Sequence, residues 1–255
     1  MPIEAYSGQL EPQNQIAVIW RFMNIKKFRD LIATGELYFC RADLFHDESE
    51  GLPPEDYRPF PHLNPLDLRD KQELDNYIGG VAEFRESFYL NCWHLFREET
   101  SRMWNEYGED GVAVCSSYRQ LKSVLDTLGD RAFLGLVRYG SRGMTGWNLF
   151  RFIFNKRMEY ASEQEVRAVL WMIDPNADMS RHLDSENRAP VQLDGHRRRV
   201  DLRALVTEIV VTPWASSATF EEINKFVKSN GYEIPVQQSA LTRYRDLLPA
   251  ATDTF

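Results

Sequence analysis

The apolar positions of the chain fall into short alternating runs and helical stripes, which predicts strands and helices interleaved along the sequence. Ile16 to Phe22 reads as a first strand. Asn24 is placed to cap a helix with Ile25, Phe28, Leu31 and Ile32 on one face, and Gly35 suits the left-handed residue beyond its end. Leu37 to Cys40 follows as a short strand. Ser87–Phe96, Gly111–Cys115 and Phe133–Tyr139 read as further strands, with a helix over Thr100–Tyr107. Ser117 and Gln120 have capping-box spacing before the stripe Leu121, Val124, Leu125 and Leu128. Leu205 to Thr212 is a strand ended by Pro213, and Thr219 with Glu222 resembles a second capping box. Asn148 to Met158 fits a helix or a strand equally well.

Two stretches lack periodicity. Asp47 to Pro65 carries five prolines among acidic and aromatic residues, and a polar stretch follows Ile173 to about Arg199. Loop or lid segments are therefore expected near 47–80, with a short helix over Lys71–Ile78, and near 174–200. The irregular interleaving predicts a single α+β domain over residues 1–255, with a mixed or antiparallel β core flanked by helices.

One run breaks the pattern of polar outside, apolar inside. Glu163-Gln164-Glu165-Val166-Arg167 leads into the apolar stretch Val166–Ile173. In a continuous strand Glu163, Glu165 and Arg167 would share one face. Carboxylates at the mouth of a core strand are costly to desolvate unless they are paired or used. A Glu–Arg ion pair is one reading; a carboxylate that stabilises developing positive charge or takes a proton is the other.

Composition narrows the classes. With 255 residues, 43% hydrophobic and 27% charged, the chain is ordinary for a globular protein, and no apolar run approaches a membrane span. The first residues lack the layout of a secretory signal, and Cys40, Cys92 and Cys115 show no C-x-x-C spacing, so free thiols in a cytoplasmic protein are expected. A net charge of −8 argues against a nucleic-acid coat, although His196-Arg197-Arg198-Arg199 forms a local basic cluster.

Three other groups could carry chemistry. Arg21, after Trp20, could grip a phosphate or carboxylate with its planar fork. Asp43, Asp47 and Glu50 could ligate a hard cation, in a spacing that matches no defined calcium loop. Cys92-Trp93-His94 with Trp104 and Tyr107 could pack the core or wall a flat ligand ring. His94 and Ser101 do not suggest a hydrolase, because no G-x-S-x-G elbow surrounds the serine.

The ordered series Trp20-Arg21-Phe22, Leu37-Tyr38-Phe39, Asp43, Phe45, Asp47 and Glu50-Gly51 resembles the bacterial domain-of-unknown-function family DUF2971. Asn91-Cys92-Trp93-His94, Met103-Trp104, Tyr107, and Tyr160 with Glu163, Glu165 and Arg167 continue the resemblance, as do Ile209-Val210-Val211 and Ser239-Ala240-Leu241. The order of parts is also similar to ADP-ribosyltransferase-like domains, in which a basic residue, a Tyr or Ser and a late-strand Glu line an NAD site. That similarity implies Arg21 on the pyrophosphate, Tyr38 on nicotinamide, Glu165 on the ribose and Glu163 orienting an acceptor. Tyr38-Phe39-Cys40 replaces the Ser-Thr-Ser strand of one transferase class, and Arg21 replaces the first-strand His of the other.

The similarity to ADP-ribosyltransferase-like domains leads us to expect an NAD-consuming transferase or glycohydrolase, in bacterial conflict or antiphage defence. Its acceptor would be protein, nucleic acid or water. Glu165 and Glu163 are the expected catalytic residues, and Arg21, Tyr38, Trp93 and Tyr160 the nucleotide contacts. A non-catalytic nucleotide-binding or sensor module is the alternative. A metal-dependent nuclease built on Asp43, Asp47, Glu50 and Glu165 is a further one.

Overall fold

The computed structural model of the chain describes residues 3–6, 9–54, 64, 66–108, 110–140, 148–172 and 193–241. Its elements run β1 (Val18–Asn24), α1 (Ile25–Thr34), β2 (Glu36–Arg41), α2 (Leu68–Phe84), β3 (Phe88–Leu95), α3 (Ser101–Tyr107), β4 (Gly111–Ser117) and α4 (Tyr118–Leu125). There follow β5 (Ala132–Leu136), β6 (Arg138–Tyr139), α5 (Phe150–Ile153), β7 (Asn155–Lys156) and a 3-10 turn over Met158–Glu163. β8 (Glu165–Trp171), β9 (Gly195–Arg199), α6 (Leu202–Leu205), β10 (Glu208–Val211), α7 (Ser217–Ser229) and β11 (Val236–Gln238) complete the order. The architecture is mixed α+β with mostly antiparallel strand pairs.

The chain forms two compact units, each gathered from three stretches: Met1–Glu11, Tyr38–Asn91 and Gly129–Arg197 in the first, Pro12–Leu37, Cys92–Leu128 and Arg198–Phe255 in the second. In the first unit β5 and β8 are antiparallel, with Gly135 opposite Arg167 and Leu136 opposite Val166. β8 also pairs with β3, and the start of β3 pairs with β2 through Leu90–Cys40 and Tyr89–Arg41. β6 and β7 form a short parallel pair that sets Tyr139 opposite Lys156. Phe88, Phe133, Phe152, Phe154 and the β8 residues Val166, Ala168, Val169 and Leu170 are buried in this unit.

In the second unit β4 lies between β1 and β10, antiparallel to both, and β11 joins β10 in parallel. Trp20, Phe22, Met103, Trp104, Ala113, Cys115 and Val210 form an apolar cluster there. Gly111 has a steric reason, since a Cβ at that position would lie 1.9 Å from the Met23 carbonyl oxygen.

Most local signals act as their chemistry predicts. Asn24 accepts from the Lys27 N–H, Gly35 ends α1 at φ 67°, and Ser117 accepts from the Gln120 N–H. Several expectations change. Thr219 is not a cap: Ser216 accepts from the Thr219 N–H, so α7 begins three residues earlier. The short helix expected at Lys71–Ile78 is the longer α2, and the basic run of the expected 174–200 loop is strand β9 from Gly195. The ambiguous 148–158 segment splits into α5 and β7. Residues 55–63, 65 and 173–192, including much of both expected loop segments and Ile173, lie outside the described residues. Among the described residues no helix is long and apolar enough to cross a membrane.

Candidate functional site

The Glu-x-Glu-x-Arg run is not one continuous strand. Glu163 closes the 3-10 turn, Gln164 adopts φ 42° and ψ 52°, and Glu165 begins β8. Gln164 is the one described non-glycine residue at positive φ, in a region that disfavours L-residues. The three charged side chains therefore do not share a strand face, as their alternation would require. The left-handed step sends the chain from turn to strand, and both carboxylates reach the same cation. Lys156 Nζ lies 2.8 Å from Glu163 Oε2 and 3.1 Å from Glu165 Oε2.

Arg167, two residues along β8, is fully buried. Its Nε donates to Glu165 Oε1 at 2.7 Å and its Nη1 to Glu50 Oε1 at 2.7 Å, with a further bond to the Ile153 carbonyl. Glu165 is thus held at both oxygens, by Arg167 on one and Lys156 on the other. Its own N–H donates to the Tyr139 hydroxyl at 2.8 Å, which ties the β6–β7 pair to the head of β8. Glu50, Glu163 and Glu165 are each no more than 2% exposed.

Glu50 reaches the cluster from a distant loop. Asp47 Oδ1 accepts from the Ser49 N–H and hydroxyl, and the Glu50 N–H bonds back to the Asp47 carbonyl, closing a turn. Arg85 Nη1 donates to the carbonyls of Glu48 and Glu50, at 2.7 and 3.0 Å. Gly51 follows at φ 74°, and a Cβ there would stand 2.9 Å from Ile153 Cδ1. Loop, turn and glycine together aim the Glu50 carboxylate at Arg167 and Lys156.

The electrostatics follow from burial. Burial alone disfavours the ammonium of Lys156, but Glu165, then Glu50 and Glu163, outweigh burial and Arg167, so its pKa is raised. Burial raises the pKa of Glu50 above its ordinary 4.5; Arg167 opposes this, Glu165 adds to it and Lys156 opposes it. Burial likewise raises the Tyr139 hydroxyl. Asp47 is pushed up by burial but down more by Ser49 and Arg157, and ends below its ordinary value.

The expected site residues are divided between the two units. Glu163 and Glu165 meet at Lys156, and the ring of Tyr160 lies 5.0 Å from Lys156 Nζ. Tyr38 belongs to the same unit but stands on β2, where its hydroxyl donates to the Asp194 carbonyl and Arg197 lies 5.6 Å over its ring. Arg21 and Trp93 belong to the second unit. Trp93 is buried, and burial lowers the pKa of Arg21 to about 10. Asp43 is bound by Arg41 in a two-point ion pair. Among the described residues no group of three or more His, Cys, Asp or Glu side chains is arranged to hold a metal ion.

Sequence reasoning groups Glu50 with Glu165 only as ligands of a metal and gives Lys156 no role. Glu50 was readable as an acidic loop residue, but its contact with Arg167 spans 117 positions. Comparison of the chain with family models, with curated proteins and with solved structures finds no match.

Proposed function

We propose that the chain is an NAD-consuming, ADP-ribosyltransferase-like enzyme, a transferase or a glycohydrolase, with its centre at the Glu50–Lys156–Glu163–Glu165 cluster. One observation carries the reading: three buried carboxylates converge on two cations, Lys156 and Arg167. Cleavage of the nicotinamide–ribose bond develops positive charge on the ribose, and desolvated carboxylates stabilise such a state strongly. Glu165 supports the ribose in this scheme, Glu163 orients the acceptor, and the Tyr160 ring borders the cation. Tyr38, in the same unit, is the proposed contact for the rest of the nucleotide, and the resemblance to DUF2971 and a role in bacterial conflict go with this reading.

A second reading is favoured by a specific contact. Both oxygens of Glu165 are engaged by protein cations, which suits a module that binds a nucleotide without turning it over. Incubation with NAD and detection of free nicotinamide separates the two. The enzyme reading requires release by the wild type and its loss in Glu165→Gln; nucleotide binding without release favours the module.

A further inference from the structure

Residues ahead of β1 reach the cluster from the outer edge of β5. One edge of β5 pairs with β8, and the other is bonded by Glu4, Gln9 and Leu10. The Glu4 N–H donates to the Ala132 carbonyl, the Gln9 side-chain amide to the Leu134 carbonyl, and the Leu136 N–H to the Leu10 carbonyl. Gln9 Oε1 accepts from the Tyr6 N–H, so one side-chain amide stands in for a peptide group between this strap and the strand. Glu4 adds a two-point ion pair with Arg131.

This strap carries Tyr6 into the unit. The Tyr6 ring stacks on Phe154 at 4.5 Å and on Phe150 at 5.7 Å. Its hydroxyl fills the place that a side chain at Gly135 would take. A Cβ there would stand 2.8 Å from the hydroxyl oxygen, 3.2 Å from the Leu10 carbonyl oxygen and 3.3 Å from Phe154 Cε1. Gly135 is opposite Arg167, and residues directly opposite in a sheet share a face. The Tyr6 hydroxyl therefore lies on the face from which Arg167 holds Glu50 and Glu165. Burial raises the pKa of this hydroxyl, against Arg138, the Leu10 backbone and Arg167, so the guanidinium lies within its electrostatic reach. Phe154 gives a second link, since the carbonyl of the preceding Ile153 accepts from Arg167 Nη1.

We propose that Tyr6 is a positioning residue of the cluster: seated in the Gly135 notch, it keeps water from the Arg167 end and fixes the guanidinium between Glu50 and Glu165. Its role in turnover rests on the NAD reading; its hold on Arg167 does not. The fit is one of shape. Tyr6→Phe removes the oxygen and leaves a space beside Arg167, whereas Gly135→Ala crowds the hydroxyl out. The Gly135 backbone is not left-handed, so alanine meets only this crowding. Together the two changes exchange the hydroxyl for a methyl group from the other side of the notch.

Nitrogen-15 NMR of the full chain reads the hold through hydrogen exchange of the Arg167 Nε–H, which donates to Glu165. Tyr6→Phe and Gly135→Ala should each speed that exchange about tenfold, while the Trp104 indole N–H of the second unit keeps its wild-type rate. The double variant should return Arg167 toward the wild-type rate, and it decides the matter even where Gly135→Ala alone fails to fold. Unchanged exchange in Tyr6→Phe, equal acceleration at Arg167 and Trp104, or a double variant no slower than the single ones overturns the assignment. Nicotinamide release tests the use. Its kcat should fall in Tyr6→Phe with KM kept, and recover in the double variant. An unaltered kcat overturns the role in turnover alone. No release by the wild type, with the exchange pattern intact, overturns that role and the NAD reading but not the hold of Tyr6 on Arg167.

Discussion

The two units bury polar chemistry in different ways. In the aromatic core of the second, neutral polar tips are satisfied one by one. The Trp20 indole donates to the Phe96 carbonyl, the Trp104 indole to Glu99, and the Ser116 hydroxyl to the Leu205 carbonyl. In the first, Lys156, Arg167 and three glutamates form one connected ionic cluster. An aromatic core with satisfied tips stabilises a fold at little electrostatic risk. A buried ionic cluster does not, because desolvation cancels much of its attraction. Stability alone therefore explains the second arrangement and leaves the first in need of a use.

The comparison breaks most visibly at Arg167 and Trp104. Arg167→Met leaves Glu50 and Glu165 without their shared guanidinium, and should lower unfolding free energy by about 3–5 kcal/mol. Trp104→Leu should also cost a few kcal/mol, through lost packing in the second unit. Denaturant titrations across pH separate the two causes. The Arg167→Met deficit should shrink at acid pH, where the stranded carboxylates take protons, whereas the Trp104→Leu deficit should stay flat. Equal pH dependence would remove the distinction drawn between the units.

Lys156 gives the opposite sign. Its pKa is raised above 10.5 in the folded chain, so its contribution is fully present below that pH and is lost as pH rises beyond it. Lys156→Met should thus cost about 3 kcal/mol at neutral pH, by leaving buried carboxylates unpaired, with the gap to wild type narrowing in alkali. A gap that widens above pH 10.5 would contradict the assignment.

Gly51→Ala probes the loop that delivers Glu50 rather than the charges themselves. The residue sits at φ 74° with Ile153 Cδ1 close to where a Cβ would be. A loss of about 1–3 kcal/mol is expected from the left-handed backbone and the crowding. Denaturant titration of the variant against the wild type reads this loss, and an unchanged stability would contradict the close approach of Ile153.

Legibility from sequence followed the range of the interaction. Caps and turns at Asn24, Gly35 and Ser117 act over a few residues, so their side-chain chemistry was enough to place them. At α7 two hydroxyls compete for the same role, and the backbone selects Ser216 over Thr219. Ser216→Ala should cost about 1 kcal/mol and Thr219→Ala much less. The Glu-x-Glu-x-Arg run is visible as costly charge, but the pairing of Glu50 with Arg167 is not, since tertiary folding alone joins residues 117 positions apart. The turn between Glu163 and Glu165 was missed for a different reason: glutamine carries no signal for positive φ.

That turn offers the finest test of why the first unit keeps its arrangement. Glycine adopts the Gln164 conformation without a Cβ penalty, but it also gains freedom in the unfolded chain. Gln164→Gly should therefore raise stability by no more than about 1 kcal/mol. Its larger effect should be on the site. A freer step between Glu163 and Glu165 loosens their common hold on Lys156, so nicotinamide release from NAD should fall while the fold is as stable or more so. A strained residue kept between two converging carboxylates fits a site that needs fixed geometry. If the variant is markedly less stable, the left-handed step is supported by contacts of the Gln164 side chain, and the strain argument fails.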